Sequence, residues 1–326
     1  MGLGRLSQAN LTQTHMLFST PSRAALVSIF SNTGLVAAKV VVAVMSGSAA
    51  MLSEALHSGL DLLASFIAWL SLRFAAHPPD REHPYGHGKW ENVSAFLEGL
   101  LILGVALWVF YEAGQRLFTP VALTHISLAM AVVGGSALAN LFVSYALRRA
   151  ARRFDSVALE ADAAHLSTDV YTSVGALVGL GGYWLTGHHL FDTGAALGVG
   201  AIIFGIGLKV THRALHGLLD TRLPADEEEA VKKIISRVTP FLELKEIVSR
   251  KAGPVRYLDL TLTVCRWETL EEIHRLCDEL EDRIEERFPG ARVFIHPEPC
   301  LIRRGTREAE TCECPLRLNI SYPVKD

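Results

Sequence analysis

The sequence predicts a multi-pass α-helical membrane protein, with six transmembrane helices, that carries a small α+β domain after the last helix. Half of the 326 residues are hydrophobic, and charged residues are sparse from about residue 24 to residue 215 but dense afterwards. A membrane-spanning helix needs about 20 mostly apolar residues. Six segments have this length and character: 24–46, 49–75, 92–117, 124–148, 157–185 and 189–213.

The basic residues predict the orientation of these six segments. They lie before the first segment, in or beside alternate loops and at the end of the sixth segment: Arg5, Arg23, Arg73, Arg81, Lys89, Arg148, Arg149, Arg152, Arg153 and Arg213. The other three loops contain no Lys or Arg. Because basic loops stay on the cytoplasmic side of a membrane, both termini are expected in the cytoplasm.

The hydrophobic pattern changes after the sixth segment. The predicted elements are, in order, an amphipathic helix at 225–238, strands at 242–250 and 256–265, a helix at 269–288 and a strand at 292–296. This α-β-β-α-β order predicts a small layered domain. The whole chain then divides into a cytoplasmic N-terminal segment, a transmembrane domain, a cytoplasmic α+β domain and an irregular cysteine-containing tail, at residues 1–23, 24–215, 216–300 and 301–326.

Composition and motifs exclude several functional classes. The formal net charge of −3 gives no reason to expect a nucleic-acid partner. The sequence has no Walker-type phosphate loop, which argues against ATP coupling within the chain. A metal-dependent intramembrane hydrolase would need a base beside its metal, but Glu54 lies three residues before His57 and no His-Glu-x2-His motif is present. The chain is therefore not expected to be an enzyme.

Two matching pairs of ionisable residues lie inside predicted membrane helices. His57 and Asp61 are four residues apart in the second segment, and His165 and Asp169 have the same spacing in the fifth. Residues at this spacing share one face of a helix. An aspartate at the centre of a membrane helix costs about 2.5–3.5 kcal/mol on insertion scales. The two pairs therefore call for a common explanation.

A divalent metal ion would explain both pairs together. Two facing helices would offer two imidazole nitrogens and two carboxylates, a tetrahedral set that suits Zn²⁺. The alternative for either pair alone is a helix-capping or interhelical hydrogen bond. Protons are the second expected partner, because histidine and aspartate must lose protons to bind a metal and regain them on its release.

These features together resemble the cation diffusion facilitator family. The resemblance rests on the two His-x3-Asp pairs, the loop from His83 to Glu91 and the terminal α-β-β-α-β unit, over roughly residues 24–300. It implies that His57, Asp61, His165 and Asp169 form the transport site. It also implies metal export from the cytoplasm, a homodimer and, because no long His-rich loop separates the fourth and fifth helices, a bacterial plasma (inner) membrane.

The same resemblance implies two further features near the membrane. Asp80, His83 and His87 match a loop zinc site of bacterial family members, although loop histidines beside Pro and Gly are also common turn residues. Lys89 and Asp220 match positions that form an ion pair where the membrane and cytoplasmic parts meet. The alternative for these two residues is a pair of unrelated interface charges. Lys39, inside the first helix, has no assigned role.

The resemblance to the family is incomplete in the cytoplasmic domain. His274, His296 and Glu298 match metal-ligand positions, whereas Lys245 and Thr261 occupy positions where histidine is usual. This difference argues against a two-metal cluster but leaves one site from the first three residues open. The alternative is that His274 is a solvated helix residue and His296 a residue at a strand end.

The five cysteines all follow the membrane part of the chain. Cys312 and Cys314, with Cys300 upstream, form a candidate soft-metal cluster in the tail. Cys265 and Cys277 are expected to be buried small apolar residues. Disulfides are not expected, because thiols stay reduced in the cytoplasm.

The function expected from these features is Zn²⁺ efflux by metal/proton antiport with alternating access, without an organic cofactor. The expected partners are the metal ion, protons, the lipid bilayer and a second copy of the chain. Two alternatives remain from the sequence. One is a membrane-anchored metal sensor or non-transporting partner subunit. The other is the same transporter with selectivity for Fe²⁺, Co²⁺, Cd²⁺ or Ni²⁺, which the ligands do not exclude.

Overall fold

The computed structural model describes residues 19–46, 49–118, 126–186, 190–238, 243–266 and 268–300. Within the described part, the first unit consists of six long helices: α1 Pro21–Ser46, α2 Ala49–Ala75, α3 Trp90–Phe118, α4 Ile126–Phe154, α5 Val157–Thr186 and α6 Leu190–Leu218. At 1.5 Å per residue, each is roughly 40 Å long. This length exceeds the hydrocarbon thickness of a bilayer.

Four stretches in these helices are both long and apolar enough to cross a membrane: Pro21–Met45, Ala55–Ala75, Trp90–Gln115 and Thr193–Leu218. Neither α4 nor α5 contributes such a stretch within the part of each helix whose side chains the structure describes. Helix α4 ends in a basic turn with Arg152 and Arg153, and α5 carries Glu160, Asp162 and Asp169. The prediction of a helical membrane domain is therefore confirmed, and the count of six spans stays a prediction.

Two predicted boundaries between helices and loops were wrong. The segment from Arg148 to Asp155 was expected to be a loop, but α4 continues to Phe154. Arg and Ala are strong helix formers, so this basic stretch has no local reason to leave the helix. The break comes instead at Asp155, whose φ of 52° is a left-handed conformation that aspartate tolerates. Helix α6 likewise continues past Arg213 to Leu218.

Small side chains bring the helices of the first unit close together. The main helix pairs are α1 with α2, α3 with α6, and α4 with α5. A Cβ atom added at Gly99 in α3 would lie 2.8 Å from the backbone nitrogen of Thr211 in α6. Small residues allow such close approach in membrane helices. Large apolar side chains such as Phe30, Val44 and Phe142 instead point outward and are exposed, as expected for helix faces in lipid.

The chain divides into two compact units between Leu219 and Asp220. The second unit contains α7 Ala225–Val238, β1 Glu243–Ala252, β2 Val255–Val264, α8 Leu270–Arg287 and β3 Arg292–Pro299. Strand β2 lies in the centre of the sheet, antiparallel to β1 and parallel to β3. The element order is the predicted one, and the predicted boundaries differ from the observed ones by a few residues.

Helices α7 and α8 pack on one face of this sheet. The shared core contains Val231 and Ile235 from α7, Leu280 and Ile284 from α8, and alternate leucines from β2. Helix α8 begins with a capping box, in which the Thr269 side chain accepts a hydrogen bond from the Glu272 N–H. Such a cap satisfies backbone donors that the first turn leaves open. The opposite face of the sheet carries the exposed Phe294 together with Lys245, His296 and Glu298, which are described with the site residues below.

Candidate metal sites

The structure brings the four predicted transport-site residues together between α2 and α5. The Nε2 atom of His57 lies 3.9 Å from Oδ1 of Asp169. The Nε2 atom of His165 lies 3.1 Å from Oδ1 of Asp61. Each histidine of one helix therefore faces the aspartate of the other helix, and the four side chains form one cluster.

This crossed pairing follows from helix geometry. In both helices the histidine precedes the aspartate by one turn, since 3.6 residues make a turn. When two such helices run antiparallel, the first member of each pair lies opposite the second member of the other. The sequence spacing thus supplies two half-sites, and the antiparallel packing of α2 and α5 combines them.

The cluster has the donor atoms of a tetrahedral metal site. Ligand atoms of His57, Asp61 and Asp169 all lie within 4.8 Å of one another. The fourth residue, His165, is hydrogen-bonded to the Asp61 carboxylate and is nearly fully buried, while 41% of the His57 side chain is exposed. One side of the cluster is therefore open and the other closed, which suits an ion that enters from one direction.

Polar neighbours hold these ligands in place. Asn140 in α4 donates from Nδ2 to Oδ2 of Asp169 at 3.0 Å. This hydrogen bond orients the Asp169 carboxylate and does not involve Oδ1, the oxygen that faces His57. Lys39 in α1 donates to the hydroxyl of Ser58 at 2.7 Å, which gives this buried lysine a polar contact beside His57. Asn140 was not among the residues predicted from the sequence, although a polar amide inside an apolar helix is a usable signal.

The loop between α2 and α3 brings Asp80, His83 and His87 together. Their ligand atoms lie within 4.8 Å of one another. Oδ1 of Asp80 is 3.3 Å from Nδ1 of His83, and Oδ2 is 3.4 Å from Nε2 of His87. The backbone N–H of His83 donates to Asp80 and lowers the pKa of its carboxyl, which favours the ionised form. The arrangement offers two nitrogens and one oxygen to a metal ion.

Turn geometry explains how this loop converges. The Asp80 side chain accepts hydrogen bonds from the N–H groups of Glu82 and His83, an Asx turn. Gly86 has a φ of 86° and donates to the carbonyl of His83, which reverses the chain before His87. The Nδ1 atom of His87 is buried without a hydrogen-bond partner in the described part of the chain.

In the second unit, the predicted ligands are not brought together within one chain. His274 lies near Asp278 on the exposed face of α8, whereas His296 lies 3.9 Å from Glu298 on β3. The Lys245 ammonium binds Glu298 at 2.6 Å. This hydrogen bond raises the pKa of Lys245 and lowers that of Glu298. Lysine thus provides at this carboxylate the positive charge that a metal would bring.

The remaining predicted residues have mixed outcomes. Cys277 is buried as expected, but Cys265 is only half-buried, like Cys300. Cys312 and Cys314 lie outside the described residues. Lys89 donates to the carbonyl of Leu218 within the first unit, and Asp220 pairs with Arg250 within the second. An ion pair between Lys89 and Asp220, and a cytoplasmic metal site shared by two chains, both stay predictions.

The chain matches two domains of known proteins. Residues 25–219 match the cation efflux transmembrane domain, and residues 223–300 match the cytoplasmic domain of cation efflux proteins. Together these regions contain all of the clusters described above.

Two curated relatives are similar over most of the chain. An uncharacterized transporter of Synechocystis is 36% identical over 259 residues, which cover 78% of this chain and 83% of the relative. The cation-efflux pump FieF of Cronobacter sakazakii is 32% identical over 281 residues, covering 86% of this chain and 93% of that protein. A solved structure of CzrB in its Zn form is 37% identical to the matching region, which covers 26% of this chain and 98% of that one, with a TM-score of 0.24.

Proposed function

Because the chain belongs to the cation efflux (cation diffusion facilitator) family of divalent-metal transporters, we propose that it exports Zn²⁺ from the cytoplasm in exchange for protons. The observation that carries this proposal is the cluster of His57, Asp61, His165 and Asp169 between two membrane helices. A transporter of this family binds its divalent metal as substrate and is not an enzyme.

The chemistry of the cluster favours zinc among the divalent metals. Two imidazole nitrogens and two carboxylate oxygens match the usual zinc ligands and a four-coordinate tetrahedral geometry. Harder cations such as Mg²⁺ prefer oxygen ligands in octahedral sites. Fe²⁺, Co²⁺, Cd²⁺ and Ni²⁺ accept similar donors, and uptake of each by the wild type in the vesicle assay below is expected to be slower than uptake of Zn²⁺.

The exchange of metal for protons follows from the ligands themselves. Imidazole binds a metal only when the coordinating nitrogen is unprotonated, and a carboxylate binds it only when ionised. The Nε2 atom of His165 lies 3.1 Å from Oδ1 of Asp61. A hydrogen bond at this distance requires a proton between the two atoms. Metal binding at these atoms displaces that proton, and release of the metal lets a proton return.

The proposed topology has six membrane spans with both termini in the cytoplasm. It is supported by the lengths of α1 to α6 and by the basic residues at alternate ends of these helices. The cytoplasmic-domain match supports a homodimer. The loop cluster around Asp80 is then on the cytoplasmic side, where it binds a second zinc ion.

The test uses the full chain reconstituted in lipid vesicles, with zinc uptake and internal pH measured together. We compare Asp61→Asn, which removes one charge from the membrane cluster, with Asp80→Asn, which makes the same change in the loop cluster. Asp61→Asn is expected to reduce zinc-coupled proton movement to background. Asp80→Asn is expected to keep transport, because its carboxylate belongs to the other site.

Zinc binding to the same proteins by calorimetry serves as the control. Each variant is expected to lose one binding event and to keep the other. Wild-type protein that binds zinc but moves none would support a membrane-anchored sensor or partner subunit instead. Normal transport by Asp61→Asn would show that the membrane cluster is not the transport site.

A further inference from the structure

A second group of buried polar side chains lies beside the transport site but contains none of its ligands. Asp162 in α5 is completely buried. Its Oδ1 atom accepts hydrogen bonds from Ser28 at 3.2 Å and from Ser65 at 3.3 Å. Its Oδ2 atom has no hydrogen-bond partner among the described residues. This carboxylate therefore has spare acceptor capacity in the interior of the helix bundle.

Glu98 in α3 is a second carboxylate of the same kind. It is 1% exposed, its Oε1 atom accepts one hydrogen bond from Ser94 at 3.3 Å, and its Oε2 atom is buried without a partner in the described part of the chain. The charged group that acts on Glu98 from the helices packed against α3 is Asp162, across the α3–α5 contact. Two buried carboxylates on contacting membrane helices are costly when both are ionised, and a proton removes that cost.

This pair connects to the transport site through α5 and α1. Asp162 precedes the ligand His165 by three residues, about 4.5 Å along the helix axis. Asn32 in α1 donates to the Ser65 hydroxyl at 2.9 Å and to the backbone carbonyl of Asp61 at 3.4 Å. A continuous set of polar contacts thus joins the region of the ligands to Asp162.

The pair also connects to the end of α3 that follows the loop with Asp80. Glu91, Ser94 and Glu98 are spaced by three and four residues, so they lie on one face of α3. Glu91 is in the first turn, is buried and accepts a hydrogen bond from Ser156 at 2.6 Å. Glu91 and Glu98 are two turns apart, about 10.5 Å. The carboxylates of Asp162, Glu98 and Glu91 thus form a column from the level of the transport site to this end of α3.

We propose that Glu98, together with Asp162, relays the exchanged proton between the transport site and the loop end of α3. The proton released when metal binds passes to one carboxylate and then to the next. Each transfer breaks one bond to hydrogen and forms one O–H bond, and no electron is transferred. A proton suits this column better than a metal ion, because carboxylates and hydroxyls alone make a poor zinc site. The relay rests on the proposed metal/proton exchange.

The test compares Glu98→Gln with Glu112→Gln in the full chain reconstituted in lipid vesicles. Glutamine keeps the size of Glu98 but cannot carry a proton, and Glu112 is an exposed glutamate of the same helix. Glu98→Gln is expected to slow zinc-driven proton movement by about 100-fold, the lower end of what a positioned proton-transfer group contributes. It is also expected to leave zinc affinity, measured by calorimetry in detergent, unchanged. Glu98→Asp is expected to restore part of the proton movement, and Glu112→Gln to behave as wild type.

Three outcomes would overturn the relay. Normal zinc-coupled proton movement by Glu98→Gln would show that no proton needs this carboxylate. A loss of zinc affinity in that variant would make Glu98 part of a metal path. If Glu98→Gln does not fold, Asp162→Asn replaces it, and normal coupling in Asp162→Asn likewise contradicts the relay. Wild-type protein that moves zinc without protons would instead refute the exchange itself, which separates failure of the relay from failure of the proposed function.

Discussion

Individual side chains show how the proposed transport site is supported by residues that are not among its candidate metal ligands. Asp169 carries two oxygens with different neighbours: Oδ1 faces His57, and Oδ2 accepts a hydrogen bond from Asn140. The amide thereby orients the carboxylate toward the cluster and leaves one oxygen for the ion. Loss of a group that orients a metal ligand in this way typically lowers metal affinity by about 10–100-fold.

Replacing Asn140 with Ala is expected to weaken zinc binding at the membrane cluster by about 10–100-fold, because Asp169 loses the donor that orients it. Zinc titration of the purified full chain measures this change. Ser136→Ala, a buried position one turn earlier in α4, serves as the matched control and is expected to bind zinc as the wild type does. Equal affinities in the two variants would show that Asn140 does not position the ligand.

At the level of elements, a buried acidic residue anchors α7 to the sheet of the second unit. Glu228 accepts two hydrogen bonds from the Arg222 guanidinium and one from the Ser249 hydroxyl of β1. Burial alone would raise the pKa of this carboxyl, but the hydrogen bonds from Ser249 and Arg222 outweigh burial and lower it. The ionised form of Glu228 therefore stabilises the folded unit.

The lowered pKa determines the sign of a pH effect. The stabilisation is fully present above the ordinary pKa of 4.5 and is lost as the pH falls through the lower value of the folded protein. Glu228→Gln is expected to destabilise the unit at neutral pH by about 1–3 kcal/mol and to remove this loss at acid pH. Hydrogen exchange of the β2 amides in the full chain, corrected for intrinsic rates, measures both effects. Glu229→Gln, at an exposed position, is the control. Equal exchange rates in the two variants would show that Glu228 does not anchor α7 to the sheet.

At the scale of the whole molecule, the proposed orientation can be tested with the native cysteines. All five cysteines follow residue 264, so they report on the side of the membrane where the second unit lies. Cys265 and Cys300 are half-buried and free. A membrane-impermeant maleimide is expected to label the protein in inside-out vesicles and not in right-side-out vesicles. A permeant maleimide should label the protein in both kinds of vesicle. If the impermeant maleimide labelled only right-side-out vesicles, the second unit would lie outside the cytoplasm and the proposed orientation would be wrong.

The sequence by itself determined the elements and the half-sites. Hydropathy located the helices because each membrane span must satisfy its backbone internally and face lipid with apolar side chains. The four-residue spacing of His57 with Asp61, and of His165 with Asp169, placed each pair on one helix face because helical periodicity is local. The order of helices and strands in the second unit was predictable for the same reason. Local patterns, however, do not say which faces meet.

The tertiary structure decided which side chains become partners. The antiparallel contact of α2 with α5 pairs each histidine with the aspartate of the other helix, and α4 adds Asn140 to the site. Packing also placed Lys245 on Glu298, one of the three candidate metal ligands of the second unit. These partners are far apart in the chain and depend on how the helices and strands pack together. A pattern with a period of two to four residues carries no information about such contacts.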